Sequence, residues 1–195
     1  MSLGVVLWPD LDTEGLVREI WTDLADHRLL SAVSGAPHGH RPHVSLVVAD
    51  EMDIDAALTD VGHVPTDPID VLIESFAVVK AGHLLLNITP TAQLLREQAR
   101  VHSLVVAHAA SPSPHYAPDR WLPHMTLARS LTPTQLSEAT PMVTARLPIG
   151  CVLTTGGIED GTTGDRWEST LRRAGSPHLD RGESRSPTPD QIRQL

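Results

Sequence analysis

Apolar residues recur along the chain in two rhythms: short runs of strand length, and longer stretches with helical spacing. Residues 3–8 (LGVVLW), closed by Pro9 and Asp10, predict a buried strand ending in a turn. From 13 to about 33, Leu16, Ile20, Leu24, Leu29, Leu30 and Val33 follow helical spacing, and Thr13 and Glu14 suit a first turn. Residues 34–39 end that helix. Residues 43–49 are valine-rich and strand-like, and 53–61 carry a weaker helical pattern. Residues 69–79 and 84–89 read as two strands joined by a hairpin turn at 80–83.

Pro90 and Thr91 open the best helix in the chain, with Leu94, Leu95, Gln98, Val101, His102 and Val105 along one side, running out near Ser111 and Pro112. A loop with three prolines covers 111–119 and leads to a strand at 124–130. Thr132 and Pro133 start a short helix, and 146–158 with 166–172 read as a closing hairpin around the Gly- and Thr-rich 160–164. Past Gly175 the chain turns polar and proline-bearing, so the expectation is a single domain over 1–174 and a disordered tail over 175–195. Helices mixed with hairpins imply an α+β fold with mostly antiparallel pairing. Each half contains a strand, a helix and a strand opening at Pro-His, which hints at two similar lobes.

Composition narrows the function. The 41% hydrophobic and 20% charged residues are ordinary for a globular protein. One Phe, one Tyr and four Trp leave Leu, Val, Ile and Ala to build the core and offer no aromatic row on which single-stranded nucleic acid could stack. A net charge of −9 argues against tight binding of long DNA or RNA, which draws on Lys and Arg, but leaves room for a small or terminal phosphate in a local pocket. The lone Cys151 excludes an internal disulfide and a cysteine-based zinc cluster. With no apolar run of membrane-span length and no leader-like N-terminus, a cytoplasmic protein with no membrane partner is expected.

The chemistry concentrates in two pentapeptides. Pro42-His43-Val44-Ser45-Leu46 and Pro123-His124-Met125-Thr126-Leu127 both read Pro-His-apolar-hydroxyl-Leu. A bare His-x-Ser/Thr arises by chance in a chain this rich in His, Ser and Thr, whereas the full pattern is expected in roughly one such chain in a hundred, and it occurs twice. Alternation along a strand places His43 with Ser45, and His124 with Thr126, on one face, with Val44, Leu46, Met125 and Leu127 on the other. If the two strands share a cleft, two imidazoles and two hydroxyls converge. One neutral imidazole can take a proton while the other, protonated, gives one, and the hydroxyls can hold nonbridging phosphate oxygens.

The residues 41–47 (RPHVSLV) and 122–129 (LPHMTLAR) resemble the two motifs of the 2H phosphoesterases, in particular the 2′-5′ RNA ligase-like and cyclic phosphodiesterase members. The histidines lie 81 residues apart (124 − 43), room for an intervening helix, hairpin and helix, and the likeness spans 3 to about 173. The resemblance implies a bilobal fold around a central groove, action on 2′,3′-cyclic phosphates, 2′-5′ linkages or related esters, and no metal or other cofactor. It implies catalytic roles for His43 and His124 and phosphate contacts for Ser45 and Thr126. Ser45 stands where Thr is commoner and lacks the stiffening methyl.

Other residues have weaker claims. Arg41 is placed to contact phosphate through its guanidinium. Tyr116, Arg120 and Trp121 border the loop that feeds the second motif, where a base or ribose could be covered. Arg129 is out of phase with His124 on a regular strand, which points to surface or core-edge duty. His38, His40 and His43 invite a metal, but the loop supplies no acidic or Cys partner nearby. The expected activity is hydrolysis of a small cyclic phosphate ester such as a 2′,3′-cyclic nucleotide. The alternatives are a 2′-5′ ligase acting on RNA ends, a non-catalytic module that binds nucleotides or RNA ends, and an unrelated α+β protein with accidental motifs.

Overall fold

The structure is a computed structural model and describes residues 2–29 and 40–169; the expected tail and His38 lie outside the described residues. Nine strands and four helices occur among them: β1 (Leu3–Pro9), α1 (Leu11–Asp26), β2 (Val44–Met52), α2 (Ile54–Val61), β3 (Ile69–Ile73), β4 (Ser75–Val79), β5 (His83–Asn87), α3 (Ala92–Val105), β6 (Ala109–Pro112), β7 (His124–Ala128), α4 (Pro133–Thr144), β8 (Ile149–Asp160) and β9 (Arg166–Glu168). The fold is α+β. A large sheet runs β3-β8-β1-β2-β6 with β9 also on β8, and a small one runs β4-β5-β7. Every pairing is antiparallel.

The helices form where capping and apolar spacing coincide. Asp10 caps α1 by accepting from Thr13 N at 2.9 Å, and its other oxygen takes Val152 N at 2.7 Å, tying the helix start to β8. Val17, Ile20, Trp21 and Leu24 form its buried stripe. The helix stops at Asp26, short of the expected 33. Arg28 adopts φ 59°, its N–H bonds back to Ala25 O, and Leu29 N–H bonds to Leu24 O. This is a Schellman ending without its usual glycine, sealed by the buried Leu24 and Leu29, and so it leaves no mark in the sequence.

Two other departures matter. The run 69–79, expected as one strand, breaks at Glu74, so β3 joins the large sheet and β4 the small one. Residues 109–112, expected as helix end and loop, add β6 to the edge of β2. Neither is visible in local periodicity, because both depend on which neighbour the strand finds.

The two lobes prove to be built alike. β1-α1-β2 and β5-α3-β7 each consist of an antiparallel pair with a helix in the connection, and each pair carries a bulge at the same place. Val5 faces Val47 while Val6 faces Ser45, making Leu46 an extra residue; Leu84 faces Ala128 while Leu85 faces Thr126, making Leu127 one. The sheets share no ladder. Instead Trp21 on α1 donates its indole N–H to Thr126 O at 3.1 Å, and Trp121, just before β7, donates to Ser45 O at 2.9 Å. Gln98 on α3 gives its side-chain amide to Leu46 O at 3.1 Å and to Tyr116 O at 2.7 Å. Each lobe thus holds the strand of the other at its bulge, where the ladder is interrupted. No helix among the described residues is long and apolar enough to cross a membrane.

Removing either indole donor leaves a partly buried carbonyl without that bond. Trp21→Phe and Trp121→Phe are each expected to lower stability by about 1–3 kcal/mol, read as a lower urea midpoint at unchanged slope. A change of only a few tenths would mean that the cross-lobe bonds are idle.

Candidate active site

His43 precedes β2 by one residue and His124 opens β7, so each ring sits where an X-Pro segment enters a strand. Both rings are held in the same way. His43 Nδ1 lies 2.9 Å from Arg41 O, and His124 Nδ1 lies 2.7 Å from Leu122 O, in each case the carbonyl just before the proline. A carbonyl can only accept, so Nδ1 carries the hydrogen and the neutral ring keeps its lone pair on Nε2.

The rings line two adjoining depressions. The narrower, about 100 Å³, is bordered by His40, His43, Ser45, Val48 and Glu159; the wider, about 560 Å³, by His83, Leu85, Arg120, Trp121, His124 and Thr126. Tyr116 and Arg129 border both, which makes the two depressions the ends of one cleft. Burial pushes the Tyr116 pKa up, against the neighbouring Ser45 hydroxyl and the Arg129 charge, so the phenol keeps its proton.

Burial sets the state of both histidines. It lowers the His43 pKa, against the Glu159 carboxylate and the Arg41 carbonyl, which favour the charged ring. It lowers the His124 pKa likewise, against the Leu122 carbonyl and with the Arg129 charge adding to it. Burial would raise the Glu159 pKa, but His40 and His43 outweigh it and hold the group below the ordinary carboxylate range. Glu159 Oε1 lies 3.1 Å from His40 Nδ1 and 3.6 Å from His43 Nδ1.

Of the residues singled out in the sequence, His43, Ser45, His124, Thr126, Tyr116 and Arg120 all border this cleft. Arg41 does not. Its Nε donates to Glu14 at 2.5 Å and its guanidinium sits 5.1 Å from the Trp8 ring, so its charge is taken up away from the cleft. Trp121 is mainly buried and holds Ser45 from behind.

Arg129 corrects the regular-strand reading in the other direction. The bulge makes Leu127 and Ala128 both face the core, which turns Arg129 back onto the side of His124 and Thr126. Val48 occupies the matching place after Leu46 and Val47 in the first lobe. Two successive apolar residues after each hydroxyl were the available signal. The histidine-rich loop supplies no acidic partner of its own; β8 brings Glu159 to it from the far end of the chain, beyond the reach of any local motif.

The family sequence model agrees with the motifs. The sequence model of the 2′-5′ RNA ligase superfamily matches residues 13–155. A solved structure of Usb1 from Kluyveromyces marxianus superposes with a TM-score of 0.44 at 14% identity, over 87% of this chain and 98% of that one. No curated protein matches the sequence.

The geometry predicts that His43 and His124 both titrate below the usual value of about 6.5 and that both neutral rings are Nδ1–H tautomers, checked by ¹⁵N-resolved imidazole NMR. Because folding depresses both values, the stability tied to these rings is present above about pH 6.5 and is lost as pH falls through the folded-state values.

Proposed function

Because the chain belongs to the 2′-5′ RNA ligase superfamily, whose members are phosphoesterases and RNA-end-processing enzymes, we propose that it hydrolyses a small cyclic phosphate ester, with a 2′,3′-cyclic nucleotide or an RNA end carrying one as substrate. The observation that carries this reading is the pair of identically anchored imidazoles with Arg129 between the two ends of their cleft.

The chemistry follows from that arrangement. A water oxygen bonds to phosphorus while the neutral ring takes its proton at Nε2. The bond from phosphorus to one ring oxygen of the cyclic ester breaks, and the protonated ring delivers its Nε2 proton to that oxygen, giving a monoester. Holding each ring by its Nδ1–H keeps Nε2 as the working atom throughout.

Negative charge builds on the nonbridging oxygens during the attack. Arg129 supplies a permanent cation with donors suited to two such oxygens, and the Ser45 and Thr126 hydroxyls supply further donors. Tyr116 stays protonated and stands beside the Ser45 hydroxyl as a further neutral donor. The wider end has the volume and the apolar Leu85 and Trp121 walls to cover a nucleoside, and Lys80 and Arg120 at its border favour one bearing a further phosphate. Acid–base work by imidazole needs no metal, so turnover in chelator is expected.

The test is hydrolysis of 2′,3′-cyclic nucleotides and of a short RNA with a cyclic phosphate end, all in EDTA. His43→Ala and His124→Ala should each lower kcat/KM by ~10²–10⁴, and Arg129→Ala by ~10²–10³. Since one ring must be neutral and the other charged, and burial lowers both pKa values, the optimum of kcat/KM should fall on the acid side of about pH 6.5. Activity that survives loss of either histidine would sink this mechanism.

A further inference from the structure

Glu159 is 2% exposed; neither carboxylate oxygen has an aligned hydrogen bond, and the donors beside it are the His40 ring and the equally buried Trp8 indole N–H. A buried carboxylate depends on donors or cations at its side, because an unpartnered buried charge costs several kcal/mol. Two imidazoles stand beside it. One ligand atom from each of His40, His43 and Glu159 falls within 4.8 Å of the others. The separations to Glu159 Oε1 are 3.1 Å from His40 Nδ1 and 3.6 Å from His43 Nδ1. Tetrahedral ligands at the usual zinc–nitrogen and zinc–oxygen lengths sit about 3.3–3.4 Å apart, between these two values. The rings cross at 78° rather than stacking on each other, and His40 is steadied against Trp21, so the change needed for coordination centres on the His43 ring and its bond to Arg41 O.

We propose that His40, His43 and Glu159 bind a divalent transition-metal ion, Zn²⁺ by their ligand chemistry, and that its occupancy silences the cleft. Two neutral imidazoles and a carboxylate make a common three-ligand zinc set, with a fourth position left open toward the narrow end of the cleft. To bind at Nδ1, His43 gives up its bond to Arg41 O, and the hydrogen of the neutral ring moves to Nε2. That nitrogen then cannot accept a proton, and a neutral metal-bound ring is a poor proton donor. The inhibitory part rests on the activity proposed above; the binding part does not.

Equilibrium dialysis of the full chain with Zn²⁺, and visible absorption with Co²⁺ in its place, reads the site directly. One ion per chain with a tetrahedral cobalt spectrum is expected. Losing even an outer-shell partner typically costs ~10–100-fold in metal affinity, so His40→Ala and Glu159→Gln should each weaken binding by at least that much. His108→Ala, which removes the competing His108–Asp60 pair on the surface, should leave it unchanged. Binding that is equal in native, His40→Ala and Glu159→Gln protein, or that disappears in His108→Ala, would overturn the site, and circular dichroism identifies a variant that has not folded. Zn²⁺ should abolish cyclic-nucleotide turnover reversibly by EDTA, with His40→Ala needing at least ~10–100-fold more ion. A native protein that binds zinc in this way but turns nothing over would refute the activity and leave the site standing; turnover indifferent to a bound ion would refute the inhibition.

Discussion

The structure depends on a reciprocal exchange of two indole hydrogen bonds. Nothing in the backbone ladders connects the large sheet to the small one, yet the cleft is lined by a histidine-bearing strand from each. Trp21 reaches from the helix of the first unit to Thr126 in the second, and Trp121 reaches from the approach to the second strand back to Ser45 in the first. Each accepting carbonyl directly precedes a bulged leucine, so the sites where the sheets would be weakest are where they are tied together. A neutral bond of this kind contributes modestly when made and costs more when its buried acceptor is orphaned, which makes the pair a constraint on register more than a reservoir of stability.

The same bulges organise the charge. On regular strands each motif would offer a histidine and a hydroxyl and then point its following side chains alternately away. The extra residue reverses that phase, and in the second lobe the returning side chain is Arg129, whose charge reaches both histidines and Tyr116. Arg41, by contrast, looks better placed in sequence but is neutralised by Glu14 and stacked over Trp8. Two arginines near two similar motifs thus end in opposite employments, decided by a bulge and by a helix that happens to carry an acid.

The lobes are alike in backbone but not in electrostatics. His124 faces the wide, partly apolar end, while His43 stands beside a buried carboxylate and a second imidazole. That asymmetry sets a carboxylate and a second imidazole beside one ring only, so the proposed acid–base chemistry and the proposed metal site meet at His43.

Much of this was legible in the sequence. The helical stripes, the caps at Asp53, Thr91 and Thr132, and the doubled Pro-His-apolar-hydroxyl-Leu motif are local, because a strand's faces and a helix's first turn are set by residues within a few positions of one another. Those residues by themselves determined the α+β class and the family, and they singled out the two histidines and hydroxyls that border the cleft. Only the tertiary structure decided that Arg129 enters the cleft and Arg41 does not, that 69–79 divides between two sheets, and that Glu159 lies against His40 and His43. The physical reason is common to all three: a bulge, a change of sheet and a burial contact are each set by a partner strand or side chain far away in the chain, and no local period records what that partner will be.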